Sequence, residues 1–76
     1  MKEILEILIK NLVDNKDKVQ INEKQEDKSI TYEVKVSESD MGKIIGKQGK
    51  IAKSIRNIMK AVAAKEHKKV VIEFLD

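Results

Sequence analysis

Residues 44–51 read IIGKQGKI. Two of the chain's three glycines stand there, three positions apart, in its most helix-friendly stretch, and the chain has no proline. Glycine costs about 1 kcal/mol relative to alanine inside a helix. The pair therefore either breaks a helix at this point or lets something approach the backbone closely.

Downstream of the pair, Ile51, Ala52, Ile55, Ile58, Met59, Val62 and Ala63 fall on one stripe of a helix beginning at Lys50. At about 100° per residue, these apolar positions occupy an arc from roughly 80° to 220°. Lys50, Lys53, Arg56, Asn57 and Lys60 fill the remaining arc, so a cationic stripe runs beside the core face. Upstream, Ser37 followed by Asp40 resembles a capping box that opens a short helix through Ile45. Gly46 can take the left-handed conformation that ends a helix, and Gly49 then allows an abrupt restart.

The remaining elements follow from periodicity. Apolar residues at 4, 5, 8 and 12 have helical spacing. With Ile7, Ile9 and Val13 they cover roughly two-thirds of that helix's circumference, wider than one sheet face needs. Val19 and Ile21 predict a short strand, and residues 24–28 (KQEDK) a polar turn. Ile30, Tyr32, Val34 and Val36 alternate with Thr31, Glu33 and Lys35, which predicts a half-buried strand. Val70, Ile72 and Phe74 form the inner face of a last strand. The order is α-β-β-α-α-β.

At 76 residues the chain is expected to form one small domain over 1–76, near the lower limit for burying an adequate core. It contains no cysteine and one histidine, so neither disulfides nor a thiolate or paired-histidine metal site is expected. His67 is expected to be exposed or to cap a helix. The longest apolar run is Ala61–Ala64, too short to span a membrane, and charges interrupt the N-terminal segment in a way signal peptides do not show. A cytoplasmic location is the default expectation. Catalysis is not expected, because no nucleophile, acid–base pair or metal cluster stands out. Paired acids such as Glu26-Asp27 and Glu38/Asp40 lie in turns and caps, where structural roles are commoner.

Charge is unevenly placed. Residues 41–69 hold nine lysines and arginines against one acid, Glu66, whereas the rest of the chain has seven basic and twelve acidic residues. The cationic segment contains the glycine pair. The helix N-terminus after Gly49, with free N–H groups and the positive dipole end, also favours an anion. A nucleotide-binding Walker loop is excluded, because Gly42 to Gly46 leaves three intervening residues rather than four and Gln48 follows Lys47. A dinucleotide fingerprint lacks its leading glycine. What remains is G-x-x-G between two helices, with aliphatic flanks.

That pattern, Ile44-Ile45-Gly46-Lys47-Gln48-Gly49-Lys50-Ile51, resembles the KH domain, whose GXXG loop clamps about four nucleotides of RNA backbone. The α-β-β-α-α-β order is similar to the type II topology, which implies an α+β fold with a three-stranded sheet and helices packed on one face. MGKIIGKQGKIAKSIRNIMKA (41–61) and KKVVIEFLD (68–76) resemble the small stand-alone bacterial KH proteins of the KhpA (YlqC) family. The resemblance implies single-stranded RNA as ligand, with Gly46, Lys47, Gln48 and Gly49 on its backbone and Ile44 and Ile45 beside the base groove. Either isoleucine could instead point into the core. Lys43, Lys50 and Lys53 are added as expected phosphate contacts from their positions, whereas Lys60, Lys65, Lys68 and Lys69 read as solubility charges. No cofactor is implied. The family further implies a post-transcriptional regulator or RNA chaperone, working as a homodimer or with a larger KH protein of the KhpB (Jag) type. The alternative is a KH-like protein–protein interaction module with incidental RNA binding.

Overall fold

In the computed structural model, which describes residues 1–75, the elements are α1 (Lys2–Leu12), a 3₁₀ turn (Lys16–Lys18), β1 (Gln20–Gln25), β2 (Ser29–Lys35), α2 (Glu38–Lys65) and β3 (Lys69–Leu75). Helix α2 is interrupted by four residues with non-helical backbone, Gly46 to Gly49. It therefore consists of two arms, 38–45 and 50–65, and the expected six-element order holds once the interruption is counted.

The sheet order is β1-β2-β3. Strand β1 runs antiparallel to β2, from Gln20↔Lys35 to Gln25↔Ile30, and β3 runs parallel to β2, from Ser29↔Lys69 to Lys35↔Leu75. A parallel neighbour requires a long crossover, and α2 provides it. Strand β1 extends further than its short apolar signal suggests, and the expected turn shrinks to Glu26–Lys28. Only Ile21 of β1 is even half-buried, so this edge strand is held by the ladder with β2 rather than by alternation.

Ile30, Tyr32 and Val34 of β2 and Val70 and Ile72 of β3 are buried on one face of the sheet, where both helices cover them. Leu5 and Ile9 of α1, Met41, Ile44, Ala52, Ile55, Met59 and Ala63 of α2, and Val13 and Val36 just outside the elements complete the core. Each large aliphatic chain removed from water stabilises by about 1.5–3 kcal/mol. The wide apolar face of α1 exceeds what the sheet buries: Ile4, Ile7 and Leu12 remain exposed, as does Ile58 on α2. Ile58 lies at the margin of its stripe, which explains why a residue expected in the core faces outward.

Helix α2 ends in a Schellman arrangement. The Lys68 N–H donates to the Ala63 carbonyl at 3.0 Å and the His67 N–H to the Ala64 carbonyl at 3.1 Å. His67 occupies the left-handed position with φ 56°, exposed, in the capping role expected of it. No described helix is long and apolar enough to cross a membrane.

Candidate nucleic-acid interface

The 38–45 arm begins at a saturated junction. Ser37 is its N-cap, its Oγ accepting from the Asp40 N–H at 3.3 Å. The sequence suggests the reciprocal half of a capping box, but the Asp40 carboxylate turns to the end of α1 instead. It accepts from the backbone N–H groups of Asp14 and Asn15, both at 3.0 Å, from Asn15 Nδ2 at 3.2 Å and from Ser37 Oγ at 2.8 Å. The bond from the Asp14 N–H, followed by those from Ser37 and Asn15, holds this buried carboxyl well below the usual carboxylate range although burial opposes it. Lys43 belongs to the same junction. Its ammonium is paired with the Asp14 carboxylate, which raises its pKa, and lies 3.9 Å from Asp40 Oδ1.

The other end of the arm is built differently. Gly46 is extended (φ −70°, ψ 176°), and Lys47, Gln48 and Gly49 follow with φ of 52°, 62° and 71°. The expected left-handed Gly46 is thus incorrect. The arm ends with an extended step, and the left-handed backbone falls on the next three residues, two of which carry Cβ atoms. Left-handed backbone costs an L-residue roughly 1–2 kcal/mol. Lys47 and Gln48 are exposed, so their side chains are not what holds them in it.

The glycines have different reasons to be glycine. Gly49 needs its positive φ. Gly46 has an ordinary φ, and a Cβ built there meets nothing within 4 Å. Neither its backbone angles nor the space around a Cβ requires glycine at this position. Gly42, in the middle of the arm, likewise has nothing within 4 Å of a built Cβ.

Gly42 instead forms part of a groove of about 590 Å³ beside the loop, lined by Val36, Glu38, Met41, Gly42 and Ile45. Here the two isoleucines separate. Ile44 is 1% exposed and belongs to the core, whereas Ile45 is 50% exposed and lines the groove. Sequence reasoning missed Val36, Glu38, Met41 and Gly42 as groove residues. Their signal was available, because 38, 41, 42 and 45 share one helical stripe.

The cations distribute around the loop unequally. Lys47, Lys50 and Lys53 are exposed and make no ion pair among the described residues. Lys50 also borders a second, apolar groove of about 330 Å³ between α1 and the 50–65 arm, with Leu8, Leu12, Ile51 and Ile58. Arg56 is drawn away to β3, its Nε donating to the Ile72 carbonyl at 3.3 Å and its guanidinium lying 5.3 Å from the Phe74 ring centroid. No cluster of three metal-ligating side chains occurs among the described residues. The arrangement thus pairs an exposed cationic loop and helix N-terminus with a mostly apolar groove.

Comparison with known proteins identifies the family. A family model described as "KhpA/KhpB, KH domain" matches residues 2–74. The chain is 56% identical to the RNA-binding protein KhpA of Clostridium perfringens over 75 residues, covering 99% of this chain and 100% of that one. It is 45% identical to the RNA-binding protein KhpA of Aquifex aeolicus over 76 residues, covering 100% and 96%. Against the protein of the same name from Listeria monocytogenes the identity is 43% over 76 residues, with both chains covered completely. No solved structure matches the chain. With a family match over nearly its whole length and relatives aligned end to end, the chain belongs to the KhpA/KhpB family of KH domains.

Proposed function

We propose that this protein binds single-stranded RNA, holding the phosphate backbone at Gly46–Gly49 and placing bases in the groove beside Ile45. The observation that carries this reading is the loop itself. Lys47 and Gln48 sit exposed in left-handed backbone, and Gly46 is a glycine for which the fold has no use. A side chain at 46 would project into the space a phosphate needs. Lys50 and Lys53 supply further phosphate contacts, and Lys43, tied to Asp14, contributes from the margin. Related proteins that carry the name RNA-binding protein KhpA support the choice of ligand.

Single-stranded RNA is preferred over duplex, because bases must be splayed out to enter the groove. With three or four phosphates held, the slope of log K against log salt is on the order of −2 to −3. A gel shift against single-stranded and duplex RNA over a salt series tests this reading. A steep slope with equal duplex binding indicates instead a nonspecific cationic patch.

One such module contacts only about four nucleotides, and joining two raises avidity by on the order of 10²–10⁴. The protein therefore works paired, with a second copy or with a larger KH protein of the KhpB type, as a cytoplasmic regulator or chaperone of RNA. The exposed Ile4, Ile7, Leu12 and Ile58 and the apolar groove between α1 and α2 support such a contact. They equally favour the second reading, a module that chiefly binds protein. Light scattering at micromolar concentration and co-purification from the native cell test the pairing, and a monomer in the first that is alone in the second contradicts it.

A further inference from the structure

The two acids at the start of α2 look alike in sequence but have different surroundings. Asp40 is buried and its oxygens are filled by Asp14, Asn15 and Ser37. Glu38 is exposed, lines the groove with Val36, Met41, Gly42 and Ile45, and makes no hydrogen bond or ion pair among the described residues. The other four groove side chains are apolar or absent. Among the described residues that line the groove, the one strong side-chain hydrogen-bonding group is therefore an acceptor that cannot donate when ionised.

An unpaired carboxylate is a poor neighbour for RNA phosphates. Its repulsion of phosphates held at the neighbouring loop weakens binding unless the base in the groove gives something back. The Watson–Crick edges of the bases differ in what they offer. Cytosine presents an exocyclic N4 amino group, a donor that a carboxylate can accept. Uracil has the same ring size but presents the acceptor O4 at the same position, and its one edge donor, N3–H, lies between the O4 and O2 carbonyls, which repel a carboxylate that approaches it. The open space over Gly42 admits a flat ring against Met41 and Ile45. Resting on the RNA-binding reading above, we propose that Glu38 is a specificity-determining residue that selects cytosine over uracil in this groove by accepting a hydrogen bond from the N4 amino group. Adenine, through N6, and guanine, through N1–H and the N2 amino group, also carry donors that a carboxylate accepts, so the selection concerns the two pyrimidines.

The test compares fluorescently labelled oligocytidylate and oligouridylate of equal length, titrated with the wild-type protein and with Glu38→Gln and Glu38→Ala variants whose fold is checked by circular dichroism. A good base contact of this kind discriminates by roughly tenfold, so the wild type should bind oligocytidylate about that much more tightly. Glu38→Gln keeps the size but can donate as well as accept, and should bring the two affinities together mainly by strengthening oligouridylate. Glu38→Ala should bring them together mainly by weakening oligocytidylate relative to oligouridylate. Equal wild-type affinities overturn the choice of base and leave RNA binding standing. The same overturning follows if both affinities rise by one factor in the variants, the signature of simply removing a negative charge near phosphates. If wild-type protein binds neither oligomer, the RNA-binding reading itself falls, and this inference with it.

Discussion

At Asp40 a single carboxylate collects four hydrogen bonds from three residues, and a nearby lysine is claimed by Asp14. At the other end of the same short arm, three residues in succession adopt left-handed backbone, a lysine and a glutamine side chain are exposed to solvent, and a glycine stands where an added Cβ would meet nothing within 4 Å. The first end is committed to the fold, joining α1 to α2. The second holds two residues with Cβ atoms in left-handed backbone, and strain of that kind clusters at ligand sites and switch regions. The first end holds the protein together; the second is the end to which the proposed function assigns RNA binding.

The sharpest way to break this contrast is at the committed end. Asp40→Asn should lower the melting temperature more than any substitution in the loop, since the amide cannot accept all the donors the carboxylate collects. The pH dependence follows from the same contacts. The folded-state pKa is depressed, so the stabilisation is complete above the ordinary carboxyl range near about pH 4 and is lost as pH falls through that range toward the folded-state value. Melting curves recorded downward from neutral pH should show this decline in the wild type and a shallower one in Asp40→Asn. A variant with wild-type stability and an unchanged pH profile would break the claim that this end serves the fold.

Gly49→Ala comes next. Its φ of 71° makes any side chain strained, and urea denaturation should show a loss of roughly 1–2 kcal/mol. Gln48→Gly should act in the opposite direction, gaining about 0.5–1 kcal/mol by relieving left-handed strain against the entropy glycine loses on folding. A loss of stability at Gln48→Gly would mean that its side chain supports the loop after all. Gly46→Ala should have the smallest effect on stability, within about 0.5 kcal/mol, yet weaken RNA binding measurably by gel shift. The contrast between positions 46 and 49 sharpens the distinction, since only one of the two glycines answers to the backbone.

Much of this layout is legible in the chain. The alternation of Ile30, Tyr32 and Val34 marks the central strand, and the stripe from Ala52 through Ile55 and Met59 to Ala63 marks the core face of the long arm. The paired glycines, their aliphatic flanks and the surrounding lysines mark the loop. Other features depend on contacts that local sequence does not carry. Asp14 and Asn15 reach Asp40 from 26 and 25 residues away, so the capping-box pattern alone could not show where that carboxylate turns. The attachments of Lys43 to Asp14 and Arg56 to the β3 edge are tertiary in the same way. Strand β1 is longer than expected because an edge strand with exposed faces needs no apolar alternation. Which loop residue becomes left-handed was also hidden, because glycine permits that backbone without requiring it.

The most direct test of the central claim replaces both exposed loop side chains with acids, Lys47→Asp together with Gln48→Asp, and measures affinity for single-stranded RNA alongside the melting curve. Neither side chain packs against the core, so the double variant should melt like the wild type. Two negative charges beside the N-terminus of the 50–65 arm should repel the phosphates it attracts and abolish binding. A folded double variant with wild-type RNA affinity would contradict the account.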